Sequence, residues 1–204
     1  MKHLIYLLSF FILFSGCTES HVKSTATDYI KNHMKDPSSF KAEKVQVLFD
    51  TIPIFLNQNI LSSAKKCYEA IEDYSRYKER NSYLWQEETE KAKNVMNKAI
   101  LSLKLDYGLT KTLVSSSINY IVLIKCSGKN SYGGTVSSKY IVIVDKDNTD
   151  KVLGDFNIDT DFLKKLLTIY NTIEDKKDRL KENAFGKFET DGMTPLEQFI
   201  FEEE

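Results

Sequence analysis

The chain has 204 residues, of which 42% are hydrophobic and 28% are charged, so its composition is that of an ordinary globular protein with enough residues for a real core. Acidic residues number 29 and basic residues 28, and this balance gives no net positive field that would recommend nucleic acid as a partner. Length alone predicts one domain, with an appendage at most.

The N-terminus has the pattern of an export signal. The run from Leu4 to Phe14 is apolar over 11 residues, which matches a signal-peptide core and is too short to span a bilayer. The run ends in the tetrad Phe14-Ser15-Gly16-Cys17, which resembles the lipobox of bacterial lipoproteins. The alternatives are an uncleaved N-terminal anchor and an ordinary secretory peptide with an incidental cysteine.

The lipobox resemblance implies how the N-terminus is processed and where in the cell the protein is located. Residues 1–16 would be the signal peptide, Cys17 would carry the lipid, and residues 17–23 would be a short polar tether. Two or three acyl chains hold a protein firmly on a membrane, whereas one holds it only marginally. Thr18 follows the cysteine where an aspartate would retain the protein in enteric bacteria, so the resemblance implies a lipid-anchored protein of the bacterial cell envelope, at the outer membrane.

The first helix of the folded part is predicted to begin at Ser24 or Thr25. It is predicted to end at Asp36-Pro37, because the residue before proline avoids the α region. The alternation of Ala42, Val45, Val47 and Phe49 then predicts a strand within residues 40–51.

The middle of the chain, about residues 55–107, is predicted to be a helical insertion. Apolar residues recur there at three- and four-residue intervals and so form an apolar stripe, which is interrupted between Lys78 and Ser82. One continuous helix would be about 70 Å long, so two antiparallel helices are favoured, with dimerisation through the stripe as an alternative. The aromatic residues near this interruption form a candidate interface, with plain helix packing as the alternative: Tyr74, Tyr77, Tyr83 and Trp85.

A β-hairpin is predicted after the insertion. The run Ile118 to Cys126 and the run Tyr140 to Val144 are rich in β-branched and aromatic residues. The turn residues that permit the hairpin are Lys129, Asn130, Tyr132, Gly133 and Gly134.

Three further segments complete the chain. Residues 152–158 predict a short strand, and a helix is expected from Asp159 or Thr160 to about Asn183. Residues 188–204 form an acidic tail, whose Phe199, Ile200 and Phe201 could dock on the body or remain mobile, and a frayed end is the favoured prediction. Together these patterns predict an α+β fold in residues 24–187, a small antiparallel sheet with helices on one face and the helical hairpin inserted.

Two segments resemble a recurring module of bacterial envelope proteins, in which a helix, an Asp-Pro-x-Ser-x-Phe-like turn and a strand accompany a later hairpin. The matching positions are Asp36, Pro37, Ser39, Phe40, Cys126, Lys129, Asn130, Tyr132, Gly133 and Gly134. These pieces cover about a quarter of the chain and contain no catalytic motif. The resemblance implies a fold architecture and a location in the cell envelope, but it implies no enzymatic reaction.

The sequence offers little for catalysis. Neither His21 nor His33 has a partner at metal-ligand spacing, and we expect no metal and no cofactor. Cys67 and Cys126 are a candidate disulfide in an oxidising compartment, although spacing alone cannot fix their separation.

The leading functional hypothesis is a non-catalytic binding or assembly role at the membrane surface. Its partner would be another envelope protein or a glycan. Two alternatives are an envelope hydrolase that uses a carboxylate pair and an inhibitor or immunity-type lipoprotein that occludes a partner enzyme.

Overall fold

The structure is a computed structural model that describes residues 2–80, 85–113, 118–173 and 193–202, with only the backbone described for residues 2–17 and 113. By its internal contacts the chain divides into two compact units. Unit 1 comprises residues 1–52 and 116–158, and unit 2 comprises residues 53–115 and 159–204. None of the described helices is long and apolar enough to cross a membrane.

Unit 1 contains one long helix and a four-stranded antiparallel sheet, which confirms the predicted α+β class. Helix α1 spans Lys2–His33, and a 3₁₀ turn at Pro37–Ser39 leads into strand β1, Lys41–Thr51. Strands β2 (Ile118–Lys129) and β3 (Thr135–Val144) form the predicted hairpin, and β4 (Val152–Asn157) completes the order β1-β2-β3-β4.

The core of unit 1 lies between α1 and one face of this sheet. Val22, Ala26 and Ile30 recur every four residues, so they share one side of the helix and are buried there. The sheet residues in this core are Val122, Ile124, Cys126, Val142 and Val144, all at alternate positions of β2 and β3. Each fully buried valine or isoleucine contributes roughly 1.5–3 kcal/mol, so this single face can hold the helix in place.

The predicted tether, residues 17–23, is wrong as a description of this segment. Helix α1 runs through these residues without a break, and Val22 is completely buried against the sheet. The helix therefore does not begin at Ser24 or Thr25. The physical reason is the i, i+4, i+8 apolar pattern of Val22, Ala26 and Ile30, which reaches back across the predicted boundary.

Unit 2 is helical. Helices α2 (Gln58–Glu79) and α3 (Gln86–Leu113) are the two antiparallel helices expected for the insertion, and a hydrogen bond of 2.5 Å from Ser63 Oγ to Asp106 Oδ2 joins them. Helix α4 spans Thr160–Thr172, with Asp159 as its N-cap as predicted. The expectation that this helix continues to Asn183 is wrong, because Ile173 already has an extended backbone.

The C-terminal segment is ordered where the structure describes it. Helix α5 spans Pro195–Phe201, and its Leu196, Phe199 and Ile200 side chains are buried. The expectation of a frayed tail is therefore wrong for these residues. The first residues of the predicted tail lie outside the described part of the chain.

Candidate functional site

The aromatic cluster at the tip of the α2–α3 hairpin is the strongest candidate site. We define it as Tyr77, Arg80 and Trp85. The Tyr77 and Trp85 rings lie 6.2 Å apart between centroids. The guanidinium carbon of Arg80 lies 5.0 Å from the centre of the Trp85 ring and 5.8 Å from that of Tyr77.

This cluster is formed by the end of one helix and the start of the next. Tyr77 lies in the last turn of α2, Arg80 is the C-cap of that helix, and Trp85 directly precedes α3. The residues are exposed or half-buried, and Trp85 retains 37% of its accessible surface. None of the described side chains of α2 beyond Ala70 is buried, so the tip is not part of the core of unit 2.

The arrangement suits recognition of another protein. A cation over an exposed aromatic ring is worth about 0.5–1 kcal/mol, so the two ring contacts favour this position of the Arg80 side chain. Tryptophan, tyrosine and arginine are also the residue types most often found at the energetic centre of protein interfaces. An exposed or half-buried group of these three types therefore has the composition that is typical of a protein interface.

The other two predicted interface residues differ in position. Tyr74 is half-buried one turn before Tyr77, and the ammonium of Lys78 lies 6.0 Å from its ring centre. Tyr83 lies outside the described residues. Arg80 was missed by the sequence reasoning, although an arginine three residues after Tyr77 and just before the break between two helices was the available signal.

The hairpin turn has a structural role that its residues explain. Asn130 Oδ1 accepts hydrogen bonds from the backbone N–H groups of Tyr132 (3.0 Å) and Gly134 (2.9 Å). Gly133 has φ of +78°, and Gly134 does not share this conformation. Lys129 is the last residue of β2, and Tyr132, 97% exposed, makes the turn's one large apolar surface among its described residues.

The two segments that resemble the envelope module are adjacent in unit 1. Ser39 Oγ accepts a hydrogen bond of 2.9 Å from the backbone N–H of Lys129 and donates one of 2.9 Å to the carbonyl of Asp36. Ser39 thus ties the turn after α1 to the end of β2. These hydrogen bonds of Ser39 hold the two segments together and do not position a catalytic side chain.

The candidate disulfide between Cys67 and Cys126 is not formed. Both cysteines are free and completely buried, Cys67 in unit 2 and Cys126 in the core of unit 1. Burial raises the pKa of the Cys126 thiol to about 11 and also raises that of Cys67. Neither thiol is a nucleophile near neutral pH, because the reactive thiolate is suppressed.

His21 and His33 both have partners within unit 1. His21 Nε2 lies 2.8 Å from Asp150 Oδ1, and the His33 ring lies against the Tyr29 ring at 4.2 Å. Within the described ranges, no group of three or more histidine, cysteine or acidic side chains is placed to hold a metal ion.

Among the residues that the structure describes, three aspartates carry a lowered pKa, each because its anion is stabilised. The cause is a hydrogen bond from the Ser38 side chain for Asp36, from the Asp147 backbone for Asp145, and from Lys165 for Asp161. A general acid needs the opposite shift, so these carboxylates suit turns and ion pairs.

Comparison with known proteins gives no relative: no family model, curated protein or solved structure matches this chain.

Proposed function

We propose that this protein is a lipid-anchored accessory of the bacterial cell envelope that binds another envelope protein through the aromatic cluster. One observation carries the proposal: Arg80 is held over both the Tyr77 and Trp85 rings on an exposed helical tip. Such a cluster has the composition of an interface centre and no role in the core of unit 2.

The shape of the α2–α3 hairpin supports this reading. The buried residues of α2 end at Ala70, and the helix continues to Glu79. Nine further residues of helix are about 13 Å long, so the cluster lies well beyond the packed part of α2. A short arm of this kind gives a partner access to both rings and to Arg80.

The proposed location at the membrane is argued from the sequence. The apolar run and the Phe14-Ser15-Gly16-Cys17 tetrad support acylation of Cys17, and the likeness to the envelope module agrees with it. Two or three acyl chains on Cys17 would keep the cluster at the membrane surface, where a modest affinity for a neighbouring membrane protein suffices.

Cross-linking in intact cells tests the proposal. A photo-reactive cross-linker at position 78, next to the cluster, should capture one recurrent envelope protein. Arg80→Ala or Trp85→Ala should reduce that product at least about tenfold, because truncating a central interface residue typically costs 2 kcal/mol or more. Cys17→Ala should leave the protein unacylated and its signal peptide uncleaved, and a variant that is still cleaved and acylated would refute the lipid anchor.

Arg76→Ala is the matched control. Arg76 lies on the same helix, is exposed and pairs with Asp73 at 3.4 Å, but it is not part of the cluster. Capture should be unchanged in this variant. Equal losses for Arg76→Ala and Arg80→Ala, or capture of bulk lipoproteins alone, would refute the aromatic cluster as a binding site.

A further inference from the structure

Helix α1 joins the N-terminal segment to the core of unit 1 without a flexible linker. The helix is continuous through Cys17, and Val22 is already completely buried against the sheet. Five helical residues span about 7.5 Å, so only that length of helix separates Cys17 from the core. A lipid on Cys17, or an N-terminal apolar run that stays uncleaved in the membrane, would therefore hold unit 1 directly against the membrane surface.

The end of the sheet that lies next to Cys17 can be identified from three contacts. His21 Nε2 lies 2.8 Å from Asp150 Oδ1, in the turn between β3 and β4. The same turn donates a hydrogen bond of 3.2 Å from the Lys146 backbone N–H to Asn119 Oδ1, in the second residue of β2. The other end of the sheet lies near the end of α1, where Lys35 Nζ is 3.4 Å from Ser131 Oγ. We call the end at which β1 finishes and β2 begins the anchor end.

Three aromatic or aliphatic side chains adjoin one another at the anchor end, on the side of the sheet that carries α1. Phe49 is opposite Tyr120 in the register, and their rings lie 4.8 Å apart between centroids. Tyr120 packs against the α1 core, and Ile118 shares its side of the sheet because the two residues are two apart on β2. Phe49 is 59% exposed and Ile118 is 43% exposed. We call these three residues the anchor-end patch.

The charged side chains around the patch are largely paired with one another. The pairs are Glu19 with Lys23 at 2.8 Å, Asp147 with Lys146 at 2.9 Å, Asp145 with Lys151 at 3.7 Å and Asp150 with His21 at 2.8 Å. Asp50 is next to Phe49, and alternation directs it to the other side of the sheet. Acidic residues outnumber lysines among these described residues, so the anchor end does not attract anionic headgroups, and a membrane contact here would be apolar.

We propose that the anchor-end patch inserts into the headgroup layer of the membrane to which the N-terminus is attached. Tyrosine is enriched at membrane–water interfaces, because its ring is apolar and its hydroxyl is polar, and exposed phenylalanine and isoleucine gain by leaving water. The partner is lipid, because the direct helical link to Cys17 brings this end of the sheet to the bilayer before any protein binds. The inference rests on the membrane attachment in the proposed function.

Insertion of the patch would orient unit 1 on the membrane. Helix α1 runs from the anchor end to the hairpin end of the sheet, so its N-terminal attachment places the anchor end towards the bilayer. The nine residues of β2 from Tyr120 to Lys129 span about 30 Å, which carries the β2–β3 turn away from the membrane. Tyr132 in that turn is 97% exposed and is the matched position that should stay in water.

Fluorescence quenching by brominated lipid tests the proposal. The full chain is isolated from the membrane fraction and placed in phosphatidylcholine vesicles with or without bromine on the acyl chains close to the headgroup. Trp85 is the chain's one tryptophan, so F49W/W85F and Y132W/W85F each carry a single fluorophore at the chosen position.

We expect bromine to remove at least about a third of the emission of F49W/W85F and less than about a tenth of that of Y132W/W85F, because only position 49 lies in the headgroup layer. Quenching should be the same at 0.15 M and 1 M salt, since an apolar contact is not screened. Thermal unfolding checks that each variant is folded, and I118W/W85F provides the same test if F49W/W85F does not fold.

Three results would overturn the proposal: no quenching at position 49, equal quenching at positions 49 and 132, or quenching that high salt abolishes. A chain that does not enter the membrane fraction would refute both the membrane attachment and this inference. A membrane-bound chain without quenching at position 49 would refute this inference alone. Loss of cross-linking with quenching intact would refute the aromatic cluster as a binding site and leave the anchor-end patch in place.

Discussion

Gly133 is the residue in the β2–β3 turn whose backbone requires glycine. Its φ of +78° lies in the left-handed region, where a Cβ atom costs roughly 1–2 kcal/mol. We therefore expect Gly133→Ala to lower the free energy of unfolding by about 1 kcal/mol in urea denaturation, and Gly133→Asn to lower it by less, since asparagine tolerates this region.

Gly154→Ala is the matched control, because nothing lies within 4 Å of a Cβ at Gly154 and its φ is ordinary. Equal losses at the two glycines would contradict the backbone explanation. The sequence pointed to both Gly133 and Gly134 as turn residues, and glycine is the residue type that adopts positive φ most readily. It could not say that Gly133 alone would adopt it, because that depends on how Asn130 Oδ1 binds the backbone of the turn.

Helix α5 shows how a short element is held by buried polar groups. The Glu197 carboxylate, 5% exposed, accepts hydrogen bonds from the Tyr170 hydroxyl at 2.9 Å and from the Thr194 backbone N–H at 3.0 Å. Thr194 in turn caps the helix, and Pro195 occupies its first turn.

Removal of the Glu197 carboxylate should destabilise the protein strongly. It leaves the Tyr170 hydroxyl buried without this partner, at about 1–3 kcal/mol, and also dismantles the capping box, at about 0.5–2 kcal/mol. We expect Glu197→Ala to lower the free energy of unfolding by roughly 2–4 kcal/mol, measured by chemical denaturation. Gln198→Ala, at an exposed position of the same helix, should cost less than about 1 kcal/mol, and a smaller loss for Glu197→Ala than for Gln198→Ala would exclude the buried network as the cause.

The elements that depend on local pattern were predictable, and their boundaries were less so. The β2–β3 hairpin and the α2–α3 pair follow from alternation and from three- and four-residue spacing. The start of α1 was missed because residues 18–23 are polar except for Val22. The burial of Val22 depends on the sheet that it packs against, which local pattern does not show. The frayed tail was wrong for α5 although Thr194-Pro195-Leu196-Glu197 carries a capping-box signal.

At the scale of the whole molecule, the division into two units follows from long-range pairing. The chain leaves unit 1 after β1, forms α2 and α3 in unit 2, returns for β2 to β4, and ends in unit 2 with α4 and α5. Local pattern cannot show that α4 belongs with α2, because that choice depends on contacts such as Lys164 over the Tyr68 ring at 4.9 Å. The sequence could likewise identify Tyr77 and Trp85 as candidate interface residues. It could not show that both contact Arg80, because that contact depends on how α2 and α3 meet.

The two buried thiols make the stability of the molecule depend on pH in the alkaline range. In the folded state the pKa of Cys126 is raised from 9.0 to about 11, and that of Cys67 is also raised, so the folded chain holds these protons more tightly than the unfolded chain. The thiol contribution is therefore fully present below pH 9 and is lost as pH rises from about 9 to 11. For Cys126 the loss should be of the order of 2 kcal/mol.

Urea denaturation at pH 8, 9, 10 and 11 measures this dependence. Burial also raises the pKa of Tyr29 and Tyr140, so some alkaline loss remains after any cysteine substitution. Cys126→Ala should lower the free energy of unfolding at pH 8 and should also make it decline less between pH 9 and 11. If Cys126 has a purely structural role, the substitution would lower the free energy of unfolding by the same amount at every pH. Alkylation provides a second readout at pH 8: the native chain should leave Cys67 and Cys126 unmodified, and the urea-unfolded chain should react at both.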